Sequence, residues 1–118
     1  MSTLQPTPHI TVTPETRPVN VFLNDNVIAS TKQALVLQEG NAQPVLYIPK
    51  EHVAMEFLLP TDRRTTCPHK GEASYWTISA GNASAENAVW GYDTPKDGVL
   101  AIAGHVAFYP DKVRIQVG

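Results

Sequence analysis

From Val19 to Val117, apolar residues return at every second position in short runs, and no long run returns every 3.6 residues. A period of two puts alternate side chains on opposite faces of a pleated strand, which argues against helix bundles and βαβ units. The last run is the cleanest: Val113, Ile115 and Val117 fall on one face, with Arg114 and Gln116 on the other. At the other end Val19, Val21 and Leu23 alternate with Asn20 and Phe22. Asn24, Asp25 and Asn26 tolerate left-handed backbone, and apolar character returns over 27–29, so residues 19–29 read as a hairpin.

The same logic places strands at 34–37, 45–48, 73–78, 88–92, 106–109 and 113–117. Turn chemistry separates them at 39–44 (EGNAQP), 81–82 (Gly-Asn), 93–98 (DTPKDG) and 110–112 (Pro-Asp-Lys). Residues 50–52 follow Pro49 and suit one helical turn, and 99–103 read as a short helix stopped by Gly104. Residues 60–71, with Pro60, Asp62, Pro68 and Gly71, are expected to be a loop. About eight short strands at roughly ten-residue spacing make an all-β, mainly antiparallel fold: a small folded sheet or partly open barrel with one or two short helical turns.

The chain is 118 residues long, enough for one compact domain and too short for two. Residues 19–118 are taken as that domain. Residues 1–18 carry Pro6, Pro8, Pro14 and Pro18, which remove amide donors, so an extended or flexible arm is expected there. The competing reading is an ordered arm packed on a neighbour, since His9, Ile10 and Val12 give it some apolar content.

Net charge is -2 with no basic run, so a nucleic-acid partner is not expected. No apolar run approaches the roughly 20 residues of a membrane span, and no membrane partner is expected. The N-terminal stretch lacks the charged-then-apolar pattern of a secretory leader. With a single cysteine, no internal disulfide can form, and a cytoplasmic, reducing location is expected.

That cysteine lies in TTCPHKGEASYW, residues 65–76. Cys67 is open to three readings: a small buried residue closing a loop, a pocket-lining thiol, or a nucleophile activated by His69 or Lys70. Thr66 could orient a partner through its hydroxyl. Lys70 beside Gly71 could hold an anion, although no phosphate-binding glycine loop is present; Lys70 reads equally as a solvated loop charge, and Gly71 reads first as a plain positive-φ turn. Glu72 and Asp62 are the nearest carboxylates in sequence.

The aromatic residues carry the best positional argument. Tyr75 and Trp76 are adjacent and must face opposite sides of their strand, one to the core and one to a second surface. Trp90 and Tyr92 share a face and form a flat wall, with Tyr47 at its edge. Aromatic walls with polar tips are what ligand pockets use, and they are also what small cores use.

YIPKEHV (47–53), TCPHKGEASYW (66–76), AVWGYDTP (88–95) and AGHVAFYPDKV (103–113) together resemble the domain of unknown function 427 family over residues 17–117. The resemblance implies a small β-rich fold and places its distinctive block at residues 66–76. A nucleotidyltransferase label is sometimes attached to the family. His69 and His105 stand where that family more often has an aromatic such as tyrosine.

The label finds little support in the residues. Phosphoryl transfer uses carboxylates to hold magnesium, and no D-x-D or D-x-E pair is present. Four scattered histidines and one cysteine do not make a zinc pattern, so no metal and no cofactor are implied. The leading expectation is a binding module for a small flat or anionic molecule. Its site would comprise Tyr47, Thr66, Cys67, His69, Lys70, Tyr75, Trp90 and Tyr92. A homodimer formed through an aromatic face or strand edge ranks second. Third is an enzyme with Cys67 or His69 as its catalytic group, for which no complete constellation is visible.

Overall fold

The computed structural model describes residues 9–118. It holds ten strands: β1 (Ile10–Pro14), β2 (Val19–Leu23), β3 (Asn26–Thr31), β4 (Leu35–Glu39), β5 (Val45–Pro49), β6 (Leu58–Cys67), β7 (Gly71–Ala80), β8 (Ala83–Tyr92), β9 (His105–Phe108) and β10 (Arg114–Val117). Helix is confined to 3-10 turns at Lys50–His52, Met55–Phe57 and Asp97–Ile102. Seven strands form one sheet in the order β1-β4-β5-β9-β8-β7-β6, and three form another in the order β10-β2-β3. Every pairing is antiparallel, and both sheets stay open. The chain is an all-β domain. Of the arm expected over 1–18, residues 1–8 lie outside the described residues, and Ile10–Pro14 pairs with β4 as an outer strand.

The β2–β3 hairpin forms where the turn residues fall. Asn24 adopts φ 54°, the left-handed region that asparagine tolerates better than most residues. The Asn26 side-chain Nδ2 donates to the Leu23 carbonyl at 3.2 Å and closes the turn.

Residues 60–71 are not a loop, because most of them belong to β6. Pro60 cannot donate to a ladder, but β6 is the outermost strand and needs only one bonded edge. The register jumps from Pro60↔Trp76 to Arg64↔Ser74, so residues 61–63 bulge opposite Tyr75. The proline and polar residues that suggested a loop are those of a bulged sheet edge.

The core has two parts, one on each face of the large sheet. Trp76, Ile78, Val89, Val106 and Phe108 pack against Val19, Val21 and Ile28 of the small sheet. On the opposite face Leu37, Tyr47, Ala73, Tyr75, Tyr92 and Ala107 form a second cluster with Val99 and Ile102. Thus Tyr75 and Trp76 do part company, one to each cluster.

The large sheet is strongly curled. Four strand steps separate β4 from β7. In a flat sheet that is ~19 Å at about 4.8 Å per step. Yet Lys70, just before β7, meets Glu39 at the end of β4 with 2.6 Å between Nζ and Oε1. The curl makes a trough of the second face, and the functional candidates line it.

Candidate functional site

The 66–76 block forms a hairpin tip and the strand that follows. Cys67 pairs with Gly71, and the Lys70 amide donates to the Cys67 carbonyl at 3.2 Å. Gly71 sits at φ 118°, where side-chain-bearing residues are strained, and a Cβ there would lie 3.3 Å from the Thr94 carbonyl oxygen. The tip is tied to the next loop by Lys96. Its amide donates to the Lys70 carbonyl at 2.9 Å, and its Nζ donates to the Pro68 carbonyl at 2.8 Å.

Strand alternation then aims the rings. Tyr47 of β5, Tyr75 of β7, and Trp90 and Tyr92 of β8 face the trough, joined by Tyr109 just beyond β9. Trp90 is the hub: its ring centroid lies 4.4 Å from that of Tyr109 in a tilted stack and 6.5 Å from that of Tyr47, edge to face. The Tyr75 hydroxyl shares a 2.8 Å hydrogen bond with Thr65, and the Arg63 guanidinium sits 4.9 Å from the centre of its ring. The rings enclose a cavity of about 270 Å³, with Leu37 and Val45 completing the apolar wall and the Lys70–Glu39 pair at the polar end.

Protonation follows from these contacts. Burial pushes the Lys70 ammonium down, but hydrogen bonds with Glu39 and Cys67 outweigh burial and hold it above its ordinary value. It is a fixed cation at neutral pH. Burial raises the Tyr47 and Tyr92 hydroxyls. Burial and then neighbouring Tyr75 push Tyr109 up to about 12. For Tyr75 burial is again upward, but hydrogen bonding with Thr65, Tyr109 and Arg63 brings it below the ordinary tyrosine value.

Among the described residues none hydrogen-bonds to the Tyr92 hydroxyl. Tyr92 lines the cavity, and no buried polar side-chain atom among the described residues lacks a partner. The trough therefore offers a neutral O–H donor and an ammonium donor near a carboxylate.

Three of the four tyrosines hold their protons more tightly in the native state than in the unfolded chain. Their stabilising contribution is complete below about pH 10 and is lost as pH rises through the folded values. Tyr75 acts in the opposite sense but is one against three. The urea midpoint is accordingly expected to fall between about pH 10 and pH 12. A midpoint that stays constant or rises over that window would contradict the tyrosine arrangement.

Of the eight expected site residues, Tyr47, Lys70, Tyr75, Trp90 and Tyr92 line this cavity. Thr66, Cys67 and His69 do not. Thr66 is exposed, because its neighbour Thr65 takes the inward position beneath Tyr75. Cys67 is half-buried behind Lys70 and packs on the second core cluster, and His69 sits half-exposed at the hairpin tip. No hydrogen bond among the described residues joins Cys67 to His69 or to a carboxylate. Glu72 and Asp62, the nearest carboxylates in sequence, are both exposed.

Two contributors escaped the sequence reading. Glu39 falls in a segment whose composition predicts a turn, and nothing local marks it as the partner of a lysine 31 positions away. Tyr109 was visible in the AFYP motif but was not assigned to the site.

Being half-buried, Cys67 is expected to take up one equivalent of iodoacetamide in the folded protein. Cys67→Ser is expected to cost about 1 kcal/mol or less. Alkylation seen only after unfolding would place the thiol in the closed core instead.

Nucleotidyl transfer would need carboxylates holding a divalent cation beside the phosphates. The trough contains only Glu39, and it is paired with Lys70, so the residues present do not fit that chemistry. Among the described residues no three His, Cys, Asp or Glu side chains are grouped to hold a metal ion. No helix among them is long and apolar enough to cross a membrane.

The sequence profile of the family described as Domain of unknown function (DUF427) matches residues 11–118. That span is nearly the whole chain, and the protein belongs to this family. No curated protein matches it.

Proposed function

We propose that this member of the DUF427 family is a binding module for a small planar molecule with hydrogen-bond acceptors along one edge. The observation that carries the reading is the convergence of Tyr47, Tyr75, Trp90, Tyr92 and Tyr109 on one cavity that ends at Lys70. Core packing needs apolar rings, but it does not need a tyrosine hydroxyl and a half-buried ammonium lining the same cavity. A volume of about 270 Å³ lies just under the ~300 Å³ lower end of small-molecule sites, which suits one ring system with short substituents. An acidic group would accept from Lys70 and the Tyr92 hydroxyl. It would compete with Glu39 for the ammonium, so an anion binds at the cost of loosening that pair.

Trp90 reports on the site, since it is the only indole lining it. In Trp76→Phe its fluorescence is unmixed. Titration with benzoate and with neutral benzamide is expected to give saturable quenching at one equivalent, lost in Tyr75→Ala. No saturable change with either probe would count against the reading.

A homodimer is the second reading, supported by the outer edge of β10, which pairs only with β2 and has Arg114 and Lys112 as its charged guards. The long outer strand β6 is blunted by Pro60, its bulge, Arg63 and Arg64, devices that discourage strand addition. Light scattering should find twice the 12.9 kDa chain mass, and a 12.9 kDa particle at all concentrations would remove the dimer.

A further inference from the structure

The trough does not end at Trp90. β5 and β9 are paired only at Ile48↔Val106 and Pro49↔His105. Beyond those two pairs the next opposite residues, Tyr47 and Ala107, are unpaired in the ladder, and one step further Leu46 and Phe108 line a gap. The gap forms a second cavity of about 240 Å³ whose own walls are Pro44, Leu46, Phe108, Pro110 and Ile115. It shares Gln43, Val45 and Trp90 with the first cavity, so the indole is a common wall. The two spaces differ in chemistry. The first ends in Lys70, Glu39 and the Tyr92 hydroxyl. The second has no charged residue, and Pro44 and Pro110 at its mouth lack amide donors.

We infer that the molecule held here is elongated, with a planar polar head in the tyrosine trough and an aliphatic tail that passes Trp90 into the split between β5 and β9. This rests on the binding reading above and deepens it by naming the ligand class: an amphipathic aromatic or heteroaromatic compound with a short alkyl or alkenyl chain. The tail has no hydrogen bonds to make, so its contribution is burial alone. That contribution should grow by a constant factor per methylene until the groove is filled, about fourfold for each buried CH₂.

The test is a series of 4-alkylbenzoates from methyl to hexyl, with benzoate as the zero point, titrated by Trp90 fluorescence into the Trp76→Phe protein. Affinity is expected to rise about fourfold per carbon over the first few members and then level off. Pro44→Asp and Ile115→Asp, each placing a charge in the groove, are expected to flatten the series while leaving benzoate itself unchanged. Pro44 is exposed, so at least that variant keeps its packing. Benzoate binding with no dependence on chain length overturns this inference and leaves the binding reading standing. A chain-length dependence that survives both substitutions places the tail elsewhere and also overturns it. Failure of every member, benzoate included, overturns both readings.

Discussion

Gly91→Ala is expected to destabilise the fold by about 1–3 kcal/mol, the usual cost of overpacking a tight interior. A Cβ at this position would lie 2.9 Å from the His105 carbonyl oxygen and 3.2 Å from Val106 Cγ1. The first of these is backbone, held by the pairing of β5 with β9, and it cannot swing away. Gly91 itself pairs with Ser74 in the ladder of β7, so β8 cannot retreat either. For a domain of this size the melting temperature should drop by roughly 4 °C per kcal/mol. Gly98→Ala is the control. Nothing lies within 4 Å of its added Cβ and its φ is not positive, so the change should be neutral or slightly stabilising. Equal melting temperatures for Gly91→Ala and the parent protein would mean that β8 and β9 do not approach as closely as described.

Lys70→Met is expected to weaken benzoate binding at least tenfold, because a charge-assisted hydrogen bond contributes about 1.5–3 kcal/mol. Glu39→Gln should act in the opposite direction, freeing the ammonium and tightening benzoate severalfold. The neutral benzamide should respond much less to either change. Lys70→Met also strands the Glu39 carboxylate. Since both side chains keep some solvent access, at 12% and 25% exposure, the stability cost is set at about 1 kcal/mol. Adding Glu39→Gln to Lys70→Met should recover part of that loss, a non-additivity that only contacting residues show. Unchanged benzoate affinity in both single variants would remove Lys70 from the site and leave the trough as core packing.

Much of this architecture was legible because strand identity is a local property. Whether a side chain points in or out depends on its parity along the strand, and parity can be counted in Val113, Ile115 and Val117 or in Ala73 and Tyr75. The opposed fates of Tyr75 and Trp76, and the shared face of Trp90 and Tyr92, follow from that count. The same local reading misjudged residues 60–71. Pro60 and Asp62 look alike in a loop and in a bulged outer strand, and only the position of β6 at the sheet edge separates the two.

The sequence by itself determined that this is a sheet protein, where most of its turns fall and which rings share a face, since each depends on neighbours a few residues apart. The tertiary structure alone decided the strand order, the curl that carries Lys70 to Glu39, the stacking of Tyr109 on Trp90, and the split between β5 and β9. Those outcomes depend on which strands pair across the chain and how far the ladder twists before it parts. Pairing and twist are settled by the packing of two sheets against each other, and no count along the chain records it.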